Sequence, residues 1–296
     1  MIDARIKTLI TVANCGSYTK AAQALNLTQP AVSHHIRYLE ERYHIKIFLR
    51  DKNELKLTNE GAILLKYARR AAAIAHNARQ AIEDVKRQVH HLSIGMTQTA
   101  GENLMPQVLG IYCDEHPHTH INICTGTIQN LHEMLKNYEI DVAVVEGKLP
   151  DPDFTSVLLD TDYLCLIVSP EHPFAKRSSV SLSELRAEKL ILRSAKAGTR
   201  ALFDSFLLNN SATIKSLNVI MEMDNVSMIK ELVSMNMGIS IVAHSACKAD
   251  EQAGRLAVVP IANANMTREI NMVYYNKGFS HTEVLEDFRK IYNRLQ

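Results

Sequence analysis

Residues 17–40 read SYTKAAQALNLTQPAVSHHIRYLE, and this stretch predicts two helices joined by a tight turn. Ser17 can cap the first helix and Thr28 the second, because a side-chain oxygen can accept hydrogen bonds from the unpaired N–H groups of a first turn. Pro30 lies in the first turn of the second helix, where its missing N–H breaks no hydrogen bond. The residues predicted to face inward are small or apolar and recur at helical spacing: Ala21, Ala22, Leu25, Val32, Ile36 and Leu39.

The other face of the second helix is polar and basic, a composition that can read base edges and bind phosphates. A polar face exposed to solvent is the alternative interpretation. The turn, the caps and the small alanines of the first helix favour a helix-turn-helix that binds double-stranded DNA. The residues on this face are Gln29, Ser33, His34, Arg37 and Tyr38.

The next segment, residues 45–58 (IKIFLRDKNELKLT), alternates apolar and polar residues around a polar tip. This pattern predicts a hairpin or wing with its tip at Asp51 to Glu54. A plain surface hairpin is the alternative. As a wing, the segment would place three basic side chains near DNA phosphates: Arg50, Lys52 and Lys56.

Residues 59–88 contain no proline and predict one helix of about 30 residues. A helix of this length has no core of its own to cover both ends. Its apolar stripe therefore predicts pairing with the same helix of a second subunit, which would also bring two recognition helices to two half-sites. The stripe comprises Ile63, Leu64, Tyr67, Ala71, Ile74, Ala78, Ile82 and Val85.

The net charge of +1 conceals a marked asymmetry along the chain. Residues 1–89 hold 15 Lys and Arg against 8 Asp and Glu, a net +7, so the remaining 207 residues carry −6. A basic N-terminal part joined to an acidic remainder is typical of a DNA-binding module fused to a sensing domain.

Composition indicates a soluble protein of two or three domains. No apolar run approaches the roughly 18 to 20 residues of a membrane span, and the charged, amphipathic start is unlike a signal peptide. We therefore expect a cytoplasmic protein with no membrane partner. Five scattered cysteines without CxxC spacing predict reduced, mostly buried thiols, and a redox-sensing pair is left open: Cys15, Cys113, Cys124, Cys165 and Cys247.

The order of these motifs resembles the LysR-type transcriptional regulators. The opening pattern appears as IKTLITVANCGSYTKAAQAL, followed by LTQPAVSHHIRYLE and then by FLR and LKLTNEG of the wing. One departure is Asn53, where many members carry a second basic residue. The resemblance implies DNA contacts by Thr28, Gln29, Ser33, His34, Arg37 and the wing residue Arg50. The full predicted DNA-binding set adds Ser17, Thr19, Pro30 and Lys52.

From residue 92 onwards, short apolar strands alternate with helical stretches, which predicts parallel sheets covered by helices. The chain is expected to cross between two lobes near Thr161 and to return near Thr267. The resemblance implies the same two-lobed α/β fold, like a type 2 periplasmic binding protein. The predicted parts are a winged helix-turn-helix at 1–58, a linker and dimerisation helix at 59–89, and an effector-binding domain at 90–296. Lobe I takes about 90–161 and 268–296, and lobe II about 162–267.

Three strand-to-helix turns are candidates for a ligand site between these lobes. Each combines hydroxyl, amide or glycine residues with the free N–H groups of a helix start, which favours a carboxylate-bearing or phosphorylated metabolite. Ordinary helix capping is the alternative at any one turn, and His244 is interpreted as a structural histidine. The predicted ligand-binding residues are Thr97, Gln98, Thr99, Thr127, Gln129, Ser194, Thr199 and Arg200.

The sequence contains no pattern of a nucleophile, phosphate loop, zinc protease or dinucleotide site, so we expect neither an enzyme nor a cofactor. His116, His118 and His120 lack an evident completing ligand, and no metal site is predicted. Predicted partners are promoter DNA, a small anionic effector and the chain itself, as a dimer through the linker helix and a tetramer. RNA polymerase is left open as a further partner. The alternative is a regulator controlled by redox chemistry or protein interaction, without a small-molecule effector.

Overall fold

The computed structural model describes residues 3–51, 54–101, 104–147, 151–276 and 282–295. They form two compact units. The N-terminal unit comprises Met1–Leu92 together with His118–Ile121 and Glu133–Ile140, and the second unit comprises Ser93–Pro117, Asn122–His132 and Asp141–Gln296.

The N-terminal unit contains the predicted helix-turn-helix and the predicted wing. Its elements are α1 (Ala4–Cys15), α2 (Tyr18–Leu25), α3 (Gln29–Tyr43), β1 (Phe48–Asp51), β2 (Glu54–Leu57) and α4 (Asn59–Arg87). Both predicted caps are present: the side chain of Ser17 accepts a hydrogen bond from the N–H of Lys20, and that of Thr28 from the N–H of Ala31. Asn26 adopts the left-handed conformation that ends α2 and turns the chain towards α3.

A small apolar core fixes the orientation of α3. Val32, Ile36 and Leu39 are buried together with Leu9 and Val12 of α1. Burying one such side chain contributes about 1.5–3 kcal/mol, so the inward face of α3 is strongly specified and its opposite face is left to solvent. Of the predicted inward residues, Leu25 is only half-buried against this core.

The hairpin leads directly into α4 through a closely packed joint. The Thr58 hydroxyl donates to the carbonyl oxygen of Lys46 over 2.5 Å and accepts from the N–H of Gly61 over 2.8 Å, which caps α4. Gly61 is buried, and a Cβ atom there would overlap the backbone carbonyl of Ile47. The close approach of helix and chain at this joint therefore requires glycine.

Helix α4 runs for 29 residues without interruption. Only Gly61, Leu65 and Ala68 are buried, all near its beginning. Further along, the side chain of Asn77 donates to the carbonyl oxygen of Tyr138 over 3.1 Å, within the same unit. Most of the large apolar residues of the predicted stripe are exposed: Ile63, Tyr67, Ile74, Ile82 and Val85.

The rest of the chain alternates strands and helices. The first part comprises β3 (His90–Met96), α5 (Gln98–Gly101), α6 (Met105–Glu115), β4 (Thr119–Thr125), α7 (Ile128–Lys136), β5 (Val142–Glu146) and β6 (Phe154–Val168). The remainder comprises α8 (Leu182–Leu185), β7 (Leu190–Arg193), α9 (Gly198–Asn209), β8 (Val219–Met223), α10 (Val226–Ser234), β9 (Ser240–Ala243), α11 (His244–Gln252), β10 (Ala257–Val259), β11 (Thr267–Tyr275) and α12 (Thr282–Leu295).

The main sheet of this part is mixed, whereas the alternation predicts a parallel sheet. Its strands run in the order β10-β6-β11-β5-β3-β4, with β9 also paired to β6. Here β3 and β5 are parallel, whereas β11 is antiparallel to both β5 and β6. The prediction of a purely parallel sheet is therefore wrong for the main sheet.

Two long strands connect the lobes. The sequence predicts two separate strands on either side of Thr161, but β6 is continuous through that residue. The polar residues Asp160, Thr161 and Asp162 stay in the strand because β11 pairs with them along its first four residues. The pairing register shifts between Ile270 and Asn271, so the paired strands carry an irregularity where they pass between the lobes.

Lobe II has its own apolar core and a second, smaller parallel sheet. β7 pairs in parallel with β8, and Leu190 of β7 also bridges to Ile239 just before β9. The core includes Leu166, Phe203 and Ile229, from strand and helix elements on both sides of the sheet. Among the described residues, no helix is both long and apolar enough to cross a membrane.

Candidate DNA-binding surface and regulatory cleft

The outward face of α3 presents four of the ten residues predicted to contact DNA. Gln29, His34 and Arg37 are exposed, and Ser33 is half-buried. The side-chain amide of Gln29 donates to the Ser33 hydroxyl over 2.9 Å, so these two residues one turn apart act as a unit. The amide keeps a free acceptor and a second N–H, which is the pairing capacity that adenine recognition uses.

Two aromatic side chains of α3 have structural roles. The guanidinium of Arg5 lies 3.7 Å from the ring centre of Tyr38, a cation–π contact that holds Tyr38 against α1. His35 Nδ1 lies 2.8 Å from the hydroxyl of Thr8, which is buried. Tyr38 was assigned to the DNA-reading face from the sequence, but it is half-buried by these contacts.

The remaining predicted DNA contacts differ in availability. The oxygens of Ser17 and Thr28 are used as helix caps, while Thr19 and Pro30 are exposed. In the wing, the backbone of Arg50 pairs with Leu55. The side chain of Arg50 and the whole of Lys52 lie outside the described residues. Lys56 is exposed on β2.

The second unit contains a buried ion cluster centred on Arg268, the second residue of β11. Its Nη2 lies 3.4 Å from Oδ2 of Asp162 in β6, and its Nη1 lies 4.0 Å from Oε1 of Glu146 at the end of β5. The exposed fractions of the Arg268, Glu146 and Asp162 side chains are 7%, 7% and 4%. The Nε atom of Arg268 is buried and has no hydrogen-bond partner among the described residues.

Asp162 is also held by hydrogen bonds from Ser245 and from the backbone of Tyr163. The Ser245 hydroxyl donates to its Oδ2 over 2.8 Å, and the N–H of Ser245, in the first turn of α11, donates to its Oδ1 over 3.2 Å. The N–H of Tyr163 adds a third bond to Oδ1 at 2.9 Å. These bonds neutralise much of the cost of burying the carboxylate, so Asp162 is a fixed anchor for Arg268.

Two of the predicted ligand residues meet this cluster from opposite lobes. The Thr97 hydroxyl donates to Glu146 Oε1 over 3.0 Å, and Arg268 Nη1 donates to the Thr199 hydroxyl over 3.3 Å. A Cβ atom at Gly198, at the start of α9, would lie 3.7 Å from Ile128 and 4.0 Å from Glu146. The first turns of α7 and α9 therefore lie close together, with Glu146 beside Gly198 and Arg268 hydrogen-bonded to Thr199.

The other predicted ligand residues lie outside these contacts. Thr99 is buried in α5, Gln98 is half-buried beside it, and Thr127 caps α7 by accepting from the N–H of Asn130. Gln129 is exposed, and the Ser194 hydroxyl donates to Asp224. These contacts do not test whether the five residues bind a ligand, so their ligand-binding roles stay predictions.

Arg200, predicted as an anion-binding residue, forms a structural network instead of pointing a free guanidinium into the cleft. Its Nη1 donates to Glu222 over 2.6 Å and to the Arg193 carbonyl over 3.1 Å, and its Nε donates to Asp204 over 3.0 Å. Burial lowers the pKa of Arg200, but the hydrogen bonds to Glu222 and Asp204 outweigh it and raise the pKa above its usual value.

His244 and His116 make local contacts with aromatic side chains. His244 stacks on Tyr163 with ring centres 4.7 Å apart and lies 3.3 Å from Glu251, in keeping with the structural interpretation. Burial raises the pKa of the Tyr163 hydroxyl. His116 stacks on Tyr112. Within the described ranges, no group of three His, Cys, Asp or Glu residues is placed to hold a metal ion.

Sequence reasoning missed Arg268, Glu146, Asp162 and Ser245. A signal was available for two of them: Glu146 directly follows the apolar run Val142–Val145, and Arg268 opens the apolar strand INMVYY. A charged residue at the end of a buried strand is a candidate for a site at the strand ends.

Comparison with known proteins identifies the family. The family model described as the LysR substrate binding domain matches residues 86–294, and that of the lysR-family bacterial regulatory helix-turn-helix protein matches residues 4–62. The chain belongs to the LysR family. It is thus a LysR-type DNA-binding transcriptional regulator with an effector-binding domain, and the relatives of this LysR protein described below are named as probable transcriptional regulators.

The relatives of this LysR-type chain include probable RuBisCO transcriptional regulators. It is 30% identical over 263 residues to a probable RuBisCO transcriptional regulator of Cyanidium caldarium, covering 87% of this chain and 83% of the relative. It is 28% identical over 301 residues to a protein of the same description from Phaeodactylum tricornutum, covering 99% and 97%.

Solved structures share the fold of this LysR-type chain. Full-length CbnR in complex with its target DNA superposes with a TM-score of 0.69 at 19% identity, covering all of both chains. The Synechocystis PCC6803 CcmR regulatory domain in complex with 2-PG superposes with a TM-score of 0.60 at 18% identity, covering 70% of this chain and 97% of that one.

Proposed function

We propose that this LysR-type regulator binds promoter DNA through α3 and the wing and is controlled by a small anionic metabolite held at Arg268. The observation that carries the effector assignment is the buried, unpartnered Nε of Arg268. A buried N–H without a partner costs free energy, and a carboxylate or phosphate oxygen would satisfy it with a charge-assisted hydrogen bond.

The two carboxylates around Arg268 differ in how firmly they are held. Asp162 receives three hydrogen bonds, from Ser245 and from the Tyr163 backbone. Glu146 is held less closely, because its Oε1 lies 4.0 Å from Nη1 of Arg268, the outer limit of an ion pair. We infer that the effector anion takes the place of Glu146 beside Arg268. The Thr97 and Thr199 hydroxyls, which already touch Glu146 and Arg268, would then bind the same anion from the two lobes.

The chemistry of the neighbouring proteins supports an anion of this kind. The CcmR regulatory domain was solved with 2-PG, and several curated relatives are named as regulators of RuBisCO. The effector proposed here is a small phosphorylated or carboxylate-bearing metabolite. The further predicted contacts Gln98, Thr99, Thr127, Gln129 and Ser194 belong to the same proposal.

The DNA-binding part of the proposal rests on the exposed face of α3 and the charge of the N-terminal region. Arg37, His34 and the Gln29–Ser33 pair lie on one face, above a core that leaves α3 a single orientation. The related CbnR fold was solved with its target DNA. We assign the DNA-binding domain to residues 1–58 and the effector-binding domain to residues 90–296.

We also propose that the linker helix, residues 59–89, forms the dimer interface. Its apolar residues Ile74, Ile82 and Val85 are exposed in the single chain, and Ile63 and Tyr67 continue the same stripe. A second copy of α4 would cover this stripe by antiparallel or parallel packing of like faces. Pairing through the effector domains would extend the dimer to a tetramer, and RNA polymerase stays open as a partner.

The effector assignment is tested by thermal unfolding of the full-length protein with 2-PG, inorganic phosphate and an uncharged sugar. A ligand that binds only the folded state stabilises it by about 2.7 kcal/mol at one hundred times its Kd. We expect stabilisation by an anion and no effect of the sugar. Arg268→Gln should abolish this stabilisation by the anion. Lys215→Gln, which removes the same charge from an exposed site, should preserve it.

An unchanged shift in Arg268→Gln would exclude Arg268 as the anchor. If no anion in a wider metabolite panel stabilises the wild-type protein, the alternative regulator without a small-molecule effector is favoured instead.

A further inference from the structure

Lobe II contains a pair of cysteines that the effector and DNA sites do not use. Cys165 in β6 and Cys247 in α11 are separated by 82 positions in sequence, but their Sγ atoms lie 3.7 Å apart. Their exposed fractions are 3% and 0%. The other cysteines are distant in the fold: Cys15 lies in α1, Cys113 in α6 and Cys124 in β4.

Both sulfurs are held in place by the backbone contacts of their strand and helix. Cys165 pairs with Val242 in the β6–β9 register, and its Sγ also lies 3.7 Å from the Val242 carbonyl oxygen. Cys247 Sγ donates to the carbonyl oxygen of His244, one turn earlier in α11, over 3.4 Å. Strand and helix therefore hold both thiols in place, and the separation exceeds a disulfide bond of about 2.05 Å by less than 2 Å.

We propose that Cys165 and Cys247 are a redox-active pair that forms a reversible intramolecular disulfide on reaction with a small hydroperoxide. Burial restricts the oxidant to a small, uncharged molecule, because a bulky disulfide such as oxidised glutathione cannot reach sulfurs with no exposed surface. The pair would give this regulator a second input beside its effector.

The reaction balances with the hydroperoxide as the two-electron oxidant. One thiolate attacks the peroxide oxygen, the O–O bond breaks, and the products are a sulfenic acid and an alcohol, or water where the oxidant is hydrogen peroxide. The second thiol then attacks the sulfenic sulfur, the S–S bond forms, and water leaves. Two thiols are oxidised, and one peroxide is reduced.

The contact between the sulfurs and their burial disfavour the thiolate form of Cys165. The hydrogen bond with Cys247 and burial together raise the pKa of Cys165 well above its usual value. The balanced reaction is the same whichever of the two sulfurs attacks the peroxide.

Disulfide formation would change the position of Arg268, because Cys247 is close in sequence to Ser245. Cys247 follows Ser245 by two residues in the first turns of α11, and Ser245 holds Asp162, the anchor of Arg268. Drawing Cys247 towards β6 would displace Ser245 and so alter the position of Arg268. This link to effector affinity rests on the proposed function, whereas the disulfide itself does not.

The test uses the full-length protein with hydrogen peroxide as the probe. After oxidation, free thiols are blocked with N-ethylmaleimide in denaturant, and the digest is examined by mass spectrometry. We expect a cross-linked peptide joining Cys165 and Cys247, loss of two of the five thiols, and recovery of both with dithiothreitol. The Cys165→Ala and Cys247→Ala variants should lose the cross-link, while Cys113→Ala, which removes an exposed thiol, should keep it.

Oxidation of Cys113 or Cys15 without a 165–247 cross-link would overturn the proposal, as would conversion of Cys247 to a sulfinic acid beside an unreacted Cys165. Circular dichroism of the two alanine variants confirms that they are folded. Anion affinity is then compared between reduced and oxidised wild-type protein, and a cross-link that leaves affinity unchanged would overturn only the link to the cleft.

Discussion

Glu146 Oε1 lies 4.0 Å from Nη1 of Arg268, although each side chain is only 7% exposed. Two opposite charges that are both removed from water normally approach more closely, because their attraction has to offset the cost of desolvation. The long separation, together with the hydrogen bond that Glu146 receives from Thr97, is the reason for proposing that an effector anion replaces Glu146 beside Arg268.

Replacing Glu146 by Gln should tighten anion binding by about tenfold, which corresponds to about 1.4 kcal/mol, because the like charge is removed while the acceptor for Thr97 is retained. Isothermal titration with 2-PG or inorganic phosphate measures the change. Glu171→Gln, an exposed substitution with the same charge change, is the matched control. Weaker binding in Glu146→Gln would mean that Glu146 supports the ligand rather than competes with it.

Arg37→Ala and Gln29→Ala should each weaken specific DNA binding by about 1–3 kcal/mol, because both residues are exposed on the base-reading face of α3. Fluorescence anisotropy is measured on a duplex selected by the wild-type protein from random DNA and on an unrelated duplex. Lys215→Ala removes a cation from the effector domain and serves as control. Equal losses on both duplexes would place these residues on phosphates rather than bases.

Ile74→Glu should dissociate the dimer, because it places a carboxylate in the apolar stripe of α4, where Ile74 is 53% exposed in the single chain. Sedimentation velocity measures the mass. His76→Glu introduces the same side chain on the opposite face of the helix and should leave the dimer intact. A dimer that survives Ile74→Glu but not His76→Glu would place the interface on the other face.

Gly61→Ala should destabilise the N-terminal unit by about 1–3 kcal/mol, because the added methyl group overlaps the Ile47 carbonyl. Gly110, in α6, has no atom within 4 Å of a Cβ position. Gly110→Ala should therefore be neutral or stabilising by about 0.5–1 kcal/mol. Thermal unfolding of both variants distinguishes the effect of steric overlap from the general effect of replacing glycine. A Gly61→Ala protein as stable as the wild type would show that α4 can shift away from the hairpin.

Asp250 should contribute stability that is lost in acid. Burial raises its pKa, but hydrogen bonds from Lys230 and Arg255 outweigh burial, and the pKa lies below the usual 3.8. A carboxylate with a lowered folded-state pKa stabilises the protein above its unfolded pKa and ceases to do so as the pH falls through the folded value. Asp250→Asn should therefore be less stable than wild type at pH 6, with the difference shrinking below about pH 4. A difference that is independent of pH would indicate lost packing instead of lost charge.

The helix-turn-helix could be predicted from sequence because its determinants are local. The caps Ser17 and Thr28 stand beside the helices they begin, and the spacing of Val32, Ile36 and Leu39 alone identifies the buried face of α3. The contact between Tyr38 and Arg5 could not be predicted in this way, because Arg5 lies more than thirty residues earlier and local periodicity contains no information about that contact.

The ion cluster could not be predicted because its members meet only after the sheet has formed. Asp162 and Arg268 are 106 positions apart and become neighbours through the β6–β11 pairing. The run from Asp160 to Asp162 looks like a loop in the sequence, since its polar residues interrupt two apolar segments. It is a strand because β11 supplies its hydrogen bonds.

Residues 118–121 and 133–140 fold with the N-terminal unit, although they lie far beyond α4 in the chain. A chimera that joins the DNA-binding half of one relative to the effector half of another near residue 90 would therefore divide one compact unit between two parent proteins. It would place the side-chain amide of Asn77 and the carbonyl oxygen of Tyr138, which lie 3.1 Å apart here, in parts from different parents. Exchangeable halves of this protein have to carry both short segments with the long helix.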